Sequence, residues 1–313
     1  MNFLSTFITV LITVVLAVPG YVLRRTKLLP EAASGVLAVL LLYVSQPFLM
    51  MSSIFNKPFD VAMLANFGWV ILFAVVLQIL VYLAACLIFI KDRDLAAKRA
   101  ATASSYLGNV GFMGIPVMQM LFPENADLVL YTVIYNIAFN AMAWTLGVFA
   151  VTGEKRSVRP LKILLNPPTI AVIIALPFFF CNVSIPEQVM TPITYLGEMT
   201  LPLSMIILGI RLADMAPLSL FNNWRVYAAS AIKLILSPLL SLGVLLLVDL
   251  VVPLDRFVVI ALFIIAAMPT ASSALNFAEM YGGDRETAAA STLMSTLLCI
   301  LTIPVLMLLL EVI

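Results

Sequence analysis

The feature that most constrains this chain is a series of apolar segments, each about as long as a bilayer is thick. Ten such segments are predicted, at residues 3–23, 33–55, 65–90, 98–121, 127–151, 161–181, 189–212, 225–249, 257–280 and 286–311. About 20 apolar residues in a helix cross the hydrocarbon core of a membrane. Because 63% of the 313 residues are hydrophobic and only 11% are charged, little sequence is left for a soluble domain. The predicted fold class is an all-α integral membrane protein with ten transmembrane helices.

Lysines and arginines are concentrated in alternate loops between these segments. Loops on one side hold 14 of the 17 basic residues, loops on the other side hold only Lys57 and Arg256, and Lys233 falls within a predicted span. Cytoplasmic loops of membrane proteins are enriched in basic residues. The pattern therefore predicts a multi-pass protein of the plasma membrane (the inner membrane of a bacterium) with both termini outside.

The composition argues against several classes of function. There is no histidine, which removes the commonest general base and metal ligand. Cys86, Cys181 and Cys299 lie far apart, so they form neither a disulfide framework nor a metal-binding motif. The net charge of +1 gives no sign of a nucleic-acid surface. We predict no catalytic residues, no cofactor and no enzymatic activity, and the sequence leaves a metal site undetermined.

Helix-breaking residues are concentrated inside the predicted fourth span. Residues 108–116 read Gly-Asn-Val-Gly-Phe-Met-Gly-Ile-Pro. Glycine costs about 1 kcal/mol and proline about 3 kcal/mol in a helix interior relative to alanine. Such residues predict an interrupted helix, with Gly114 and Pro116 as breaking residues. Small residues in this pattern also suit close packing between membrane helices, which is the alternative interpretation.

The two halves of the chain resemble each other at a shift of about 155 to 160 residues. Pro47 in the second span then matches Pro202 in the seventh, and both are predicted helix breaks. Residues 108–110 in the fourth span match Met-Pro-Thr at 268–270 in the ninth. Since each half has an odd number of spans, the second half enters the membrane from the opposite side. We predict two inverted repeats, residues 1–151 and 161–313, joined by a short cytoplasmic linker at 152–160.

Interrupted spans at matching places in two inverted halves are typical of a transporter binding site. The N-terminus of a half-helix carries a partial positive charge and free N–H groups, which favour an anionic substrate. The carbonyl end of the preceding half-helix is able to hold a cation. The predicted fourth and ninth spans should therefore cross and share one polar site.

Several motifs resemble those of the auxin efflux carrier family, which includes plant auxin carriers and bacterial permeases for malonate or malate. They are Gly-Asn-Val-Gly-Phe-Met-Gly-Ile-Pro at 108–116, Ala-Met-Pro-Thr-Ala-Ser-Ser-Ala at 267–274, Phe-Ala-Glu-Met-Tyr-Gly-Gly-Asp at 277–284, Pro-Leu-Ser-Met-Ile-Ile-Leu-Gly at 202–209 and Lys-Leu-Ile-Leu-Ser-Pro-Leu at 233–239. Plant members have a long central loop, which is absent here, and Pro-Asn where this chain has Gly108-Asn109.

The resemblance implies ten helices in two inverted five-helix repeats, a fold similar to that of bile-acid:sodium symporters. Helices 4 and 9 would be broken and crossed. Helices 1, 2, 6 and 7 would form a scaffold, and helices 3–5 and 8–10 a transport domain that moves like an elevator. A homodimer through the scaffold helices is also implied.

Asn109 is the principal candidate for substrate binding, because its amide can donate to a carboxylate. Its alternative role is to cap the broken helix. In the ninth span Pro269 would make the break, and the Thr270 hydroxyl would contact the ligand. The full set of predicted substrate-binding residues is Gly108, Asn109, Gly111, Asn136, Pro269, Thr270, Ser272 and Asn276.

Two ionisable residues inside predicted spans are candidates for coupling or gating, since charged groups in membranes are costly. Glu198 lies one turn before Pro202 and is suited to carry a proton. Lys233 would attract an anion, or its side chain would extend to the membrane interface. The driving ion is predicted to be H+, Na+ or none, and the sequence does not distinguish among them.

The function predicted from these features is secondary transport of a small organic anion, such as a mono- or dicarboxylate. The alternative is a membrane ligand sensor that uses a transporter fold without net transport. The expected partners are the lipid bilayer and the substrate, with no nucleic acid.

Overall fold

The computed structural model describes residues 3–158, 161, 165–215 and 221–311. We label its main helices α1 (Phe3–Arg25), α2 (Ala33–Phe55), α3 (Met63–Ile88), α4 (Leu95–Tyr106), α5 (Val110–Leu121), α6 (Ala126–Thr152), α7 (Pro167–Phe180), α8 (Glu187–Asp214), α9 (Trp224–Asp249), α10 (Arg256–Ala267), α11 (Ser272–Tyr281) and α12 (Arg285–Leu310). Within the described ranges the only β-structure is one isolated bridge.

Seven of these helices are long and apolar enough to cross a membrane: α1, α2, α3, α6, α8, α9 and α12. Three shorter apolar helices, α5, α7 and α10, accompany them. The predicted span 98–121 is divided between α4 and α5, and the predicted span 257–280 between α10 and α11. Residues 159–160 of the predicted linker and 162–164 of the predicted sixth span lie outside the described residues.

Two prolines that were expected to break helices are instead absorbed by a widened turn. Pro47 and Pro116 each lie two residues after a π-helical turn, Leu41–Ser45 and Val110–Gly114 respectively. A proline ring clashes with the carbonyl four residues before it, and a π turn moves that carbonyl aside. The predictions that Pro47, Gly114 and Pro116 interrupt their helices are therefore wrong.

Pro202 likewise does not unwind α8. The helix is irregular only at Met199, and regular helix resumes over Thr200–Asp214 with Pro202 in its first turn. A proline in the first turn of a helix replaces an N–H that would lack a partner anyway. The predicted break at Pro202 is therefore reduced to one irregular residue, Met199, three positions before the proline.

Most helices pack within one of two groups, and α1 joins the groups because it also packs on α12. In the first group α1 packs on α8, and both α7 and α8 pack on α2. A Cβ added to Gly20 would overlap the carbonyl oxygen of Ile206, so glycine allows α1 and α8 to touch backbone to backbone. In the second group α3 packs on α4 and α6, α9 on α4, α10 and α12, and α11 on α12.

An ion pair outside the apolar segments holds the second group together. Arg225 at the start of α9 donates from Nη2 to Asp92 Oδ1 at 2.7 Å, in the loop before α4. The same guanidinium donates from Nε to the other carboxylate oxygen. These hydrogen bonds lower the pKa of Asp92 below its usual value of 3.8, because they stabilise the ionised carboxylate.

Candidate binding site at the crossing of two interrupted helices

The first interruption separates α4 from α5. α4 ends at Tyr106, Leu107 is extended (φ −73°, ψ 102°), and Gly108 and Asn109 complete the gap. A Cβ added to Gly108 would lie 3.0 Å from Lys233 Cε, so the close packing at this point favours glycine. Lys233 thus leaves little room for a side chain at position 108 in the gap.

The second interruption separates α10 from α11. α10 ends at Ala267, and Met268 is extended (φ −63°, ψ 144°). The residue before a proline avoids helical conformation, so Pro269 accounts for the end of the helix. Ala271 is extended as well (φ −74°, ψ 146°), and α11 begins at Ser272.

The two gaps pair with each other through their backbones. The amide of Asn109 donates to the Pro269 carbonyl at 2.7 Å, and the amide of Ala271 donates to the Leu107 carbonyl at 2.8 Å. An antiparallel bridge lies between these two bonds. Unwound backbone at membrane depth must be satisfied by protein or water, and this pairing supplies partners. It also brings the N-termini of α5 and α11 to one place.

A cavity of about 410 Å³ opens beside the paired gaps, within the range of small-molecule sites. No charged side chain occurs among the described residues that line it. Its carboxamide side chains are Gln46, Asn109, Asn136, Asn140, Asn166 and Asn276. Its aromatic side chains are Tyr43, Phe112, Phe139, Trp144 and Phe277.

Asn109 places a buried amide against this cavity. The residue is only 6% exposed, and its side chain makes no hydrogen bond to any described residue. Buried polar groups in folded proteins almost always have a partner, because an unpaired one is costly. The side-chain carboxamide of Asn109 is therefore available to a ligand or to water. It does not cap the broken helix, which was its alternative role.

Gly111 makes room for two further amides. A Cβ at this position would overlap Gln46 Nε2 and would lie 3.1 Å from Asn136 Oδ1. Asn136 also donates from Nδ2 to the sulfur of Met50 at 3.5 Å. The absence of a side chain at Gly111 thus lets Gln46 of α2 and Asn136 of α6 reach the same wall of the cavity.

The chain of amides continues along α6 to the start of α7. Asn140 Nδ2 donates to the Asn136 carbonyl at 2.9 Å, and Asn166 Nδ2 donates to Asn140 Oδ1 at 3.2 Å. Asn166 is the residue that precedes the first turn of α7. These bonds orient the polar wall of the cavity from one helix group to the other.

The predicted binding residues divide into two sets. Gly108, Asn109, Gly111, Asn136 and Asn276 line the cavity, whereas Pro269, Thr270 and Ser272 do not.

The position of Thr270 differs from the expected one. Its side chain is fully buried and donates to the Ser104 carbonyl at 2.8 Å, and its amide donates to Ser295 Oγ at 3.0 Å. The expected contact between its hydroxyl and a ligand is wrong, because that hydroxyl is turned towards the last turn of α4.

The two candidates for coupling or gating also lie apart from the cavity wall. Lys233 is 3% exposed, and its ammonium donates to the Ala266 carbonyl at 2.8 Å and to Ser237 Oγ at 3.4 Å. The expectation that it extends to the interface is therefore wrong. A cation at the C-terminal end of a half-helix is favoured by the helix dipole, and α10 ends beside this ammonium. Glu198 is exposed on α8.

Sequence reasoning missed three amides of this cavity, Gln46, Asn140 and Asn166, and all five of its aromatic side chains. Two signals were present. Asn136 and Asn140 are four residues apart, which puts them on one face of a helix. Asn166 precedes two prolines, which is typical of a helix start. Gln46 and Trp144 carry no comparable local signal, since only the tertiary fold brings them here.

The described residues show no arrangement of side chains that would bind a metal ion. Among the described residues, no group of three or more Cys, Asp or Glu side chains is arranged to hold an ion. The polar wall of the cavity consists of amides, which are weak ligands for a metal without a carboxylate beside them.

Comparison with known proteins indicates a membrane protein, as do the apolar helices. The sequence model of a family described as membrane transport protein matches residues 5–307. An uncharacterized transporter of Methanocaldococcus jannaschii is 27% identical over 304 residues, covering 94% of this chain and 95% of that protein. Together with several helices able to cross a membrane, these matches make the chain a multi-pass membrane transporter. It belongs to the auxin efflux carrier family.

Proposed function

We propose that this protein is a secondary transporter that binds a small organic anion at the crossing of the two interrupted helices. The observation that carries the proposal is the buried side-chain carboxamide of Asn109, which has no hydrogen-bond partner among the described residues and faces a cavity beside two helix N-termini. Helix N-termini favour anions through the dipole and the free N–H groups. No carboxylate among the described lining residues opposes a negative charge.

Within this class the cavity favours a monocarboxylate with an apolar body over a dicarboxylate. The described lining residues carry amide and aromatic side chains and no cationic group. One carboxylate can be held by amide donors and helix N-termini, whereas a second would face apolar walls. Burying an uncompensated charge is costly.

We further propose that the ten predicted segments form two inverted repeats, residues 1–151 and 161–313. The symmetry of the crossing supports this arrangement. Asn109 bonds with Pro269, which is its counterpart at a shift of 160 residues. The group α1, α2, α7 and α8 would be the scaffold, and the other group would move past it with the substrate.

The predicted orientation makes this an inward-facing arrangement. The cavity extends to Asn166 and Met280, which lie near the helix ends assigned to the cytoplasm. At the opposite ends of the helices, Lys57 pairs with Asp127 at 2.9 Å and joins the two groups. An ion pair there would close the outer side while the inner side stays open.

For the driving ion, we propose H+ in preference to Na+. Near each carbonyl end at the crossing, one carbonyl is taken by a donor of the protein itself. The Lys233 ammonium bonds the Ala266 carbonyl near the end of α10, and Thr270 Oγ1 bonds the Ser104 carbonyl in the last turn of α4. These carbonyls are thereby removed as ligands for a sodium ion.

Two measurements test the proposal. A thermal-shift screen of the purified protein with malonate, malate, benzoate and indole-3-acetate should show stabilisation by monocarboxylates. Uptake of the stabilising compound into proteoliposomes should then exceed that of empty liposomes and fall in Asn109→Ala. Stabilisation without any uptake would contradict transport, and undiminished uptake by Asn109→Ala would remove this residue from the site.

A further inference from the structure

The helix α11 separates two cavities. Asn276 and Met280 line the central cavity described above. Leu275 and Glu279 line a second cavity of about 420 Å³, together with Arg211 near the end of α8. The side chain of Asn276 is therefore close to both spaces, and Arg211 approaches it from the second cavity.

Arg211 determines which end of the Asn276 carboxamide points towards it. Its Nη2 donates to Asn276 Oδ1 at 3.1 Å. A guanidinium has only donors, so the amide oxygen must face Arg211. No described residue accepts a hydrogen bond from Asn276 Nδ2. The NH₂ end of the carboxamide is thus left for the central cavity.

We propose that Arg211 is a positioning residue that makes Asn276 a fixed hydrogen-bond donor and so gives the central cavity its preference for carboxylates. A free carboxamide can turn either end to a ligand and would accept a neutral amide as readily as an anion. Held by Arg211, it offers N–H groups alone. This inference rests on the proposed function of the central cavity and names a residue that sets its specificity without touching the ligand.

The hydrogen bond also depends on the arrangement of the helix groups. Arg211 belongs to α8 in the first group, and Asn276 belongs to α11 in the second. A movement of one group past the other would separate them and release the carboxamide. The preference for an anion should therefore be strongest in the arrangement seen here.

The bond itself is tested without any ligand. Melting temperatures are measured for the wild type, Arg211→Met, Asn276→Leu and the double variant. If the two side chains are bonded, the shift of the double variant will be smaller than the sum of the single shifts. Additive shifts would overturn the proposal, because they would mean that Arg211 does not hold Asn276.

The effect on specificity is tested with two probes of nearly equal shape, indole-3-acetate and indole-3-acetamide. We expect the wild type to bind the acetate more tightly. In Arg211→Met the freed carboxamide can turn its oxygen to the NH₂ group of the acetamide, so the affinity for the acetamide should rise and the preference for the acetate should fall about tenfold, the usual size for one hydrogen bond. Arg211→Lys should keep most of the preference, since lysine also only donates.

Arg285→Met is the matched control, because Arg285 lines the same second cavity and makes no bond to Asn276. It should leave both affinities unchanged. The proposal would be overturned if the ratio of the two affinities were unchanged in Arg211→Met, or if Arg285→Met changed that ratio by the same factor. A wild type that binds neither probe would contradict the monocarboxylate site, while the melting temperatures would still decide whether Arg211 holds Asn276.

Discussion

The two helix interruptions perform the same backbone task with different residues and use their side chains differently. The first gap depends on Gly108 and presents the side chain of Asn109 to the cavity. The second gap depends on Pro269 and turns the side chain of Thr270 away, onto the carbonyl of Ser104. We propose that the first gap supplies a contact for the ligand, whereas the Thr270 side chain of the second gap holds the crossing together.

This difference means that symmetry of the backbone does not imply symmetry of the binding site. The side-chain carboxamide of Asn109 has no protein partner among the described residues, whereas the hydroxyl of Thr270 donates to the Ser104 carbonyl. Substitutions in the first gap should affect ligand binding, and substitutions in the second gap should affect stability. The largest effect is expected for substitutions that disturb the cavity wall, and the smallest for substitutions far from both gaps.

The first prediction concerns the wall behind Asn109. In Gly111→Ala the new Cβ would overlap Gln46 Nε2 and crowd Asn136, so both amides must leave their places. We expect uptake to fall at least about tenfold, as for the loss of one or two hydrogen bonds. Gly114→Ala is the matched control, since its Cβ would meet its nearest neighbours at an ordinary 3.5 Å. Equal uptake by the two variants would contradict the role of Gly111.

The second prediction concerns the structural side of the comparison. Thr270→Val keeps the shape of the side chain and removes the hydrogen bond to the Ser104 carbonyl. We expect a loss of about 1–2 kcal/mol in the free energy of unfolding, measured by thermal unfolding, because a buried acceptor loses its partner. The KM for uptake should not change.

Ser273→Ala is a suitable control, since the Ser273 hydroxyl is buried without a hydrogen-bond partner among the described residues. Its stability should equal that of the wild type. A raised KM with unchanged stability in Thr270→Val would mean that the hydroxyl serves the ligand after all.

The third prediction concerns the carbonyl ends of α4 and α10, where Ser104 and Ala266 each accept a hydrogen bond from a side chain of the protein. Uptake measured in potassium buffer should equal uptake in sodium buffer at the same ionic strength. A pH gradient should change the rate in both buffers. A strict requirement for sodium would contradict the assignment of these carbonyls.

The smallest effect is expected at the ion pair that joins the loop before α4 to the start of α9. The pKa of Asp92 is lowered in the folded protein by hydrogen bonds from Arg225, so the unfolded chain binds a proton more readily. The stabilisation is complete above pH 3.8 and is lost as the pH falls through the lowered pKa. Asp92→Asn should lower the melting temperature at pH 7, and the difference from wild type should shrink below pH 3.8. A constant difference across this range would contradict the pair.

The helices and the places of both interruptions were predictable because they depend on local features. Apolar length predicts the spans. Gly108-Asn109 and Met268-Pro269 predict gaps that the chain has within one or two residues. The effect of Pro47, Pro116 and Pro202 was not predictable in the same way, because a proline can be absorbed by a wider turn or placed in a first turn.

The cavity was only partly predictable, for a physical reason. Asn109 and Asn136 stood out as amides in apolar segments. Gln46 reaches the cavity because Gly111 of another helix leaves space for it, and this is a tertiary contact. The direction of the Thr270 side chain is likewise decided by the carbonyl of Ser104, 166 residues away in sequence.

The most direct test of the account compares the two gaps with one ligand. The dissociation constant of the carboxylate that stabilises the wild type most in the screen is measured for wild type, Asn109→Ala and Thr270→Val, at a temperature where all three are folded. We predict an increase of about tenfold for Asn109→Ala and no change for Thr270→Val. An unchanged dissociation constant for Asn109→Ala, or an equal increase for both variants, would contradict the proposed division of roles between the two gaps.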